Sequence, residues 1–157
     1  PFMKRYSRSY LEKYPEKKGQ DIESTRRSCE KFKDIPTTII NFVEGTRVTP
    51  KKQMESGSPF SHLMTPKAGG IAFTLAAMGH LFSGVLNVTL NYPDNDRPTL
   101  AILLGQLQRV QVKVDLLAVD EQIVGDYFED AEFKSGFQSW LNDLWQEKDK
   151  LLARLNM

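Results

Sequence analysis

A single cysteine, Cys29, and two histidines, His62 and His80, are all that the 157-residue sequence holds of the thiol and imidazole side chains that form disulfides and zinc sites. One cysteine excludes an internal disulfide and a cysteine-rich metal site, and it fits a reducing compartment. The two histidines lie far apart and lack ligand spacing, which argues against a zinc site. A basic excess is missing too. The 21 Lys and Arg against 20 Asp and Glu leave a net charge of +1, too little to drive nucleic-acid binding by counterion release. No apolar run reaches the ~20 residues that a membrane-spanning helix needs. The most apolar stretch, Ala68 to Val85, is interrupted by Gly69, Gly70, Gly79, His80 and Gly84 and reads as a buried helix and turn. There is no signal-peptide pattern, and the opening Pro1-Phe2-Met3-Lys4-Arg5 has no initiator Met, so the chain is expected to be a piece of a longer protein. No internal repeat, low-complexity tract or linker divides it.

What is present is ordinary for a soluble globular domain: 40% hydrophobic and 26% charged residues, with enough chain for one core. Gln20 to Lys33 predicts a helix, N-capped by Asp21, that buries Ile22, Cys29 and Phe32. Ile35 to Val43 is rich in β-branched residues and predicts the first strand. Residues 46–66 carry Pro50, Gly57, Pro59 and Pro66 and predict a long loop of a functional or mobile kind. A helix follows from Lys67 to Leu81, then a strand from Val85 to Tyr92, a turn at Tyr92 to Asp96 and a short helix from Pro98 to Leu104. Leu107 to Leu117 alternates at Val110, Val112 and Val114 and predicts a third strand. The chain closes on a long amphipathic helix, Asp130 to Asn156, whose apolar stripe includes Phe133, Phe137, Trp140, Leu141, Leu144, Trp145, Lys148, Leu151 and Leu152. Strands alternating with helices predict an α/β fold with a mainly parallel sheet flanked by helices.

The chemistry concentrates in Glu44-Gly45-Thr46-Arg47, directly after the predicted strand. In open α/β sheets ligands bind outside the carboxyl ends of strands. A glycine there lets the backbone approach a ligand, and an arginine offers a planar fork for phosphate. Lys67, just before a helix whose first turn holds Gly69 and Gly70, adds a point charge beside a positive helix end. Upstream, Phe2-Met3-Lys4-Arg5 places a second arginine 39 positions before Glu44.

In its context, Phe42-Val43-Glu44-Gly45-Thr46-Arg47 resembles the third sequence block of the glycerolipid acyltransferases, the lysophosphatidic acid acyltransferase family. Phe2-Met3-Lys4-Arg5 resembles the Phe-x-x-Arg second block, and Val85 to Leu90 stands where the fourth block belongs, with Asn87 in place of its usual proline. The first block, a His and an Asp separated by four residues, is not in the chain: five positions beyond His62 is Lys67, and five beyond His80 is Val85. Arg26 to Phe32 and Trp140 to Asp149 are worded like a bacterial membrane-associated branch, so the resemblance covers nearly the whole chain.

The resemblance implies a glycerol-3-phosphate acyltransferase-like fold with its N-terminal part missing, residues 1–157 forming the C-terminal portion of a single acyltransferase domain. It implies transfer of an acyl group from acyl-CoA or acyl carrier protein, without a further cofactor, to a lysophospholipid such as 1-acyl-glycerol-3-phosphate. The catalytic His and Asp are then expected upstream of Pro1, and the piece alone is expected to be soluble and inactive. Arg5, Gly45, Thr46, Arg47 and Lys67 become candidate acceptor-binding residues. Glu44, as a carboxylate, is expected to fix Arg47 or Arg5 or to bond an acceptor hydroxyl. The parent protein is expected on the cytoplasmic face of a bacterial inner membrane, and apolar surface left by the missing part predicts a dimer. The rival readings are a non-catalytic lipid- or anion-binding module on the same scaffold and a phosphate-binding α/β domain unrelated to lipids.

Overall fold

The computed structural model describes residues 20–93 and 98–156. Arg5 and most of the turn expected at Tyr92 to Asp96 therefore lie outside the described residues. The elements in chain order are helices α1 (Gln20–Cys29), α2 (Pro50–Ser56) and α3 (Ala68–Met78), strand β1 (Val85–Asn91), helix α4 (Pro98–Leu103), strand β2 (Gln111–Leu117) and helix α5 (Ala131–Leu155). They divide between two compact units. One holds residues 20–43, 67–83 and 119–138, the other residues 44–66, 84–118 and 139–156.

The first unit is built on α3, which is apolar almost all round and buries Ala68, Ala72, Phe73, Leu75, Ala77 and Met78. A helix without a polar face must be covered on several sides. Cys29 of α1 packs against Ala77 and Met78, with Ile22, Phe32 and Phe82 around them, which is the face expected from the spacing. Burial pushes the Cys29 thiol above its ordinary value, against a smaller lowering from Lys31. The Arg26 guanidinium donates to the Ala76 carbonyl at 3.0 Å and holds the two helices in register. α1 begins at Gln20, one residue before the expected cap at Asp21, and tightens into a 3-10 turn at Glu30–Phe32. It stops there because Pro36 steers Ile35 out of the helical region. At the far end of α3 a Cβ on Gly79 would lie 2.6 Å from Val124 Cγ2, so only glycine admits the 119–130 loop this closely. The loop brings aromatic rings together edge to face: Phe73 and Phe128 at 6.3 Å, and Tyr127 and Phe137 at 5.5 Å. Asp130 caps α5 by accepting from the amides of Glu132 and Phe133 at 2.9 and 3.0 Å.

The segment from Ile35 to Val43 corrects the sequence reading. It forms no strand, and Ile40 and Phe42 are 76% and 83% exposed. A strand exists only when a neighbour takes up its backbone N–H and C=O groups. Among the described residues one ladder-like bond is made here, from the Lys67 amide to the Val43 carbonyl at 2.9 Å.

In the second unit the expected loop at 46–66 contains a helix. Thr49 Oγ1 accepts from the Lys52 amide at 3.3 Å, Pro50 opens α2, and Gly57 ends it in the left-handed conformation. Those are ordinary start and stop signals. The sheet of the described residues has two strands, and they are antiparallel, pairing Val85 with Leu117 through to Asn91 with Gln111. The parallel arrangement expected from the alternation of elements does not form between them. A period of two is the same in parallel and antiparallel strands, so the alternation read from the sequence does not fix the strand direction. β2 is also shorter than expected, beginning at Gln111, because β1 offers it only seven partners. Cross-strand pairs Leu86 with Leu116, Val88 with Val114 and Leu90 with Val112 line one exposed apolar face, while Thr89 and Asn91 are buried on the other. The second part of α5 supplies this unit's core through Leu141, Trp145 and Leu152. Among the described residues no helix is long and apolar enough to cross a membrane.

Candidate anion site on the Glu44–Arg47 turn

Val43 and Glu44 turn the chain, and Gly45 follows at φ 68°. An L side chain at that φ is strained, so glycine is what the turn requires. Thr46 Oγ1 accepts from Lys52 Nζ at 2.6 Å, which brings a cation from α2 onto the turn. Arg47 is exposed and makes no hydrogen bond or ion pair among the described residues. Its fork is free to meet an anion from solvent.

Glu44 points the other way. Its Oε1 accepts from Trp145 Nε1 at 3.3 Å. Burial raises the Glu44 carboxyl above its ordinary value, and the Met64 amide, the Trp145 indole and the Lys148 charge each pull it part of the way back. Burial likewise lowers Lys148, against the raising influence of Glu44 and Asp115. Lys148 Nζ donates to the Val88 carbonyl at 2.9 Å and stands 4.9 Å from the centre of the Trp145 ring. Arg5 lies outside the described residues, and among them Glu44 bonds no arginine. In the structure it anchors the turn to α5, because a carboxylate half out of water needs donors and α5 and residue 64 supply them.

The expected site residues are thus distributed as follows. Glu44, Gly45, Thr46 and Arg47 are consecutive and share the second unit with Lys52. Lys67 belongs to the first unit; it is exposed at the start of α3 and makes no side-chain capping bond. An exposed guanidinium on a glycine-shaped turn has the donor geometry that carboxylates and phosphates match.

The 1-acyl-sn-glycerol-3-phosphate acyltransferase delta of Homo sapiens is 33% identical over 140 residues, covering 83% of this chain and 35% of the relative. The proteins of the same name from Bos taurus and Mus musculus are 31% and 30% identical over 141 residues, with the same coverage. This similarity supports kinship with the lysophosphatidic acid acyltransferase-like family. The chain spans 35% of the length of these curated relatives. All three are mammalian proteins, so they do not bear on the bacterial branch expected from the wording. No family model and no solved structure matches the chain.

For this acyltransferase-like chain, sequence reasoning missed three residues that act on the turn: Lys52, Trp145 and Lys148. Lys148 had a signal. A lysine on an otherwise apolar helical stripe is placed either to snorkel or to meet a buried acceptor. Trp145 and Glu44 are 101 positions apart, and nothing in one sequence pairs them.

Proposed function

We propose that the protein containing this chain is an O-acyltransferase that moves an acyl group from a thioester, acyl-CoA or acyl carrier protein, to a lysophospholipid of the 1-acyl-glycerol-3-phosphate kind. In that reaction the acceptor hydroxyl adds to the thioester carbonyl, the C–S bond breaks, and the thiol leaves with the proton. This chain supplies the acceptor's phosphate site. A His-x-x-x-x-Asp base in the remainder of the protein takes the hydroxyl proton. The enzyme works at a membrane surface, where its acceptor resides.

The observation that carries this reading is the free, exposed Arg47 on a turn whose neighbouring carboxylate is turned inward. Kinship to named acyltransferases makes phosphate the anion to expect. The test is acyl transfer by the full-length protein with Arg47→Ala. The KM for the phosphate-bearing acceptor should rise roughly tenfold or more, the size of a charge-assisted pair, with the KM for the thioester unchanged. An unchanged acceptor KM removes Arg47 from the site. The second reading, a lipid-binding module without turnover, is favoured by one fact: Asn87 stands where the fourth block of the family usually carries proline. Binding of lysophosphatidic acid by the full-length protein without transfer would select it.

A further inference from the structure

One turn of α5 reaches three separate parts of the second unit. Trp145 Nε1 meets the Glu44 carboxylate at 3.3 Å. Lys148 Nζ meets the Val88 carbonyl in β1 at 2.9 Å. Asp149 accepts from the Ser61 amide at 3.0 Å and from the His62 amide at 2.7 Å. The Ser61–His62 loop leads within two residues to Met64, whose amide works with the Trp145 indole to lower the Glu44 carboxyl against burial. The same turn of α5 thus bonds the Glu44 carboxylate directly through Trp145 and ties down the neighbouring 61–62 loop through Asp149. Gly45 then turns the chain so that Arg47 faces solvent.

We infer that Trp145, Lys148 and Asp149 are positioning residues for the acceptor site, setting where the Arg47 guanidinium stands. The inference rests on the acyltransferase reading above. Its physical warrant is directionality. Leucine at all three positions would serve a core, but hydrogen bonds hold a part within tenths of an ångström, as a binding constellation needs. The half-buried Lys148 sharpens the point, since an ammonium is a costly choice on an apolar stripe unless its donors are used.

The test is steady-state kinetics on the full-length enzyme with Trp145→Phe, which keeps the ring and deletes the N–H, and Asp149→Asn, which keeps the shape and one acceptor. Trp145→Phe should raise the acceptor KM roughly fivefold, the worth of one hydrogen bond, with kcat and the thioester KM near wild type. Asp149→Asn should show a smaller change in the same direction. The decisive comparison is the double variant Arg47→Ala with Trp145→Phe. If Trp145 acts through Arg47, it adds nothing to the acceptor KM of Arg47→Ala alone. Additive losses, or a lowered thermal midpoint with both KM values unchanged, overturn the inference and leave these residues as structural. If Arg47→Ala itself leaves the acceptor KM unchanged, the acceptor-site reading fails and the positioning role falls with it.

Discussion

Two stretches of this chain both carry large apolar side chains and meet opposite fates. Helix α5 buries Phe137 and Leu141 completely and adds Trp145 and Leu152 to the core. Ile35 to Val43 leaves Ile40 and Phe42 in solvent. The difference is where each finds its hydrogen-bond partners. A helix closes its backbone bonds within four residues and needs only one covered face. A strand borrows its partners from elsewhere, and without them its apolar side chains have no surface to pack on. Hydrophobicity marks a segment as wanting burial; locality of the backbone bonds decides whether it obtains it alone.

The largest effect that would sharpen this comparison comes from the helix. Phe137→Ala should cost about 3–5 kcal/mol of unfolding free energy, because the ring is fully buried and touches both Tyr127 and Phe133. Denaturant unfolding of the chain measures it. A loss below about 1 kcal/mol would mean that α5 is not the core element the packing describes.

The same contrast explains what the sequence disclosed. The stripe of α5, the α1 face at Ile22, Cys29 and Phe32, and the apolar run of α3 were legible because 3.6-residue periodicity is a local signal. The β1 and β2 positions were legible as strands but not as antiparallel, since a period of two is the same in both arrangements. α2 was overlooked although Thr49-Pro50 and Gly57 announce its ends. At the candidate site the Glu44–Arg47 turn stood out as a motif. The role of Glu44 did not, because its partners Trp145 and Lys148 come from the other end of the chain.

A middle-sized effect tests the anchored side of the comparison. Burial holds the Glu44 carboxyl above its ordinary value while Trp145, Met64 and Lys148 work against that rise. Between the ordinary and the raised value, the folded chain binds more protons than the unfolded one. This group's contribution is therefore fully present at low pH and is lost as pH rises through the raised value. Glu44→Gln keeps an oxygen for the indole and does not titrate. The stability difference, wild type minus Glu44→Gln, should fall as pH is raised from about 4 to 7. The Lys148 shift acts in the alkaline range, below the ordinary lysine value, and leaves this window alone. Parallel pH profiles would mean that the carboxylate is not held in the partly dry site between Trp145 and Lys148.

The smallest effect tests the exposed side. Phe42→Ser replaces a large apolar ring that is 83% exposed, and it should change unfolding free energy by no more than about 0.5 kcal/mol. The contrast with Phe137 is the point: same residue type, same starting hydrophobicity, and a difference that comes from burial alone. The serine also removes an exposed apolar group, so solubility should rise even as stability stays level. A loss above about 2 kcal/mol would show that the ring is covered in solution. Ile35 to Val43 would then be a paired strand whose neighbour lies outside the described residues, and the turn that follows it would stand at the end of a sheet.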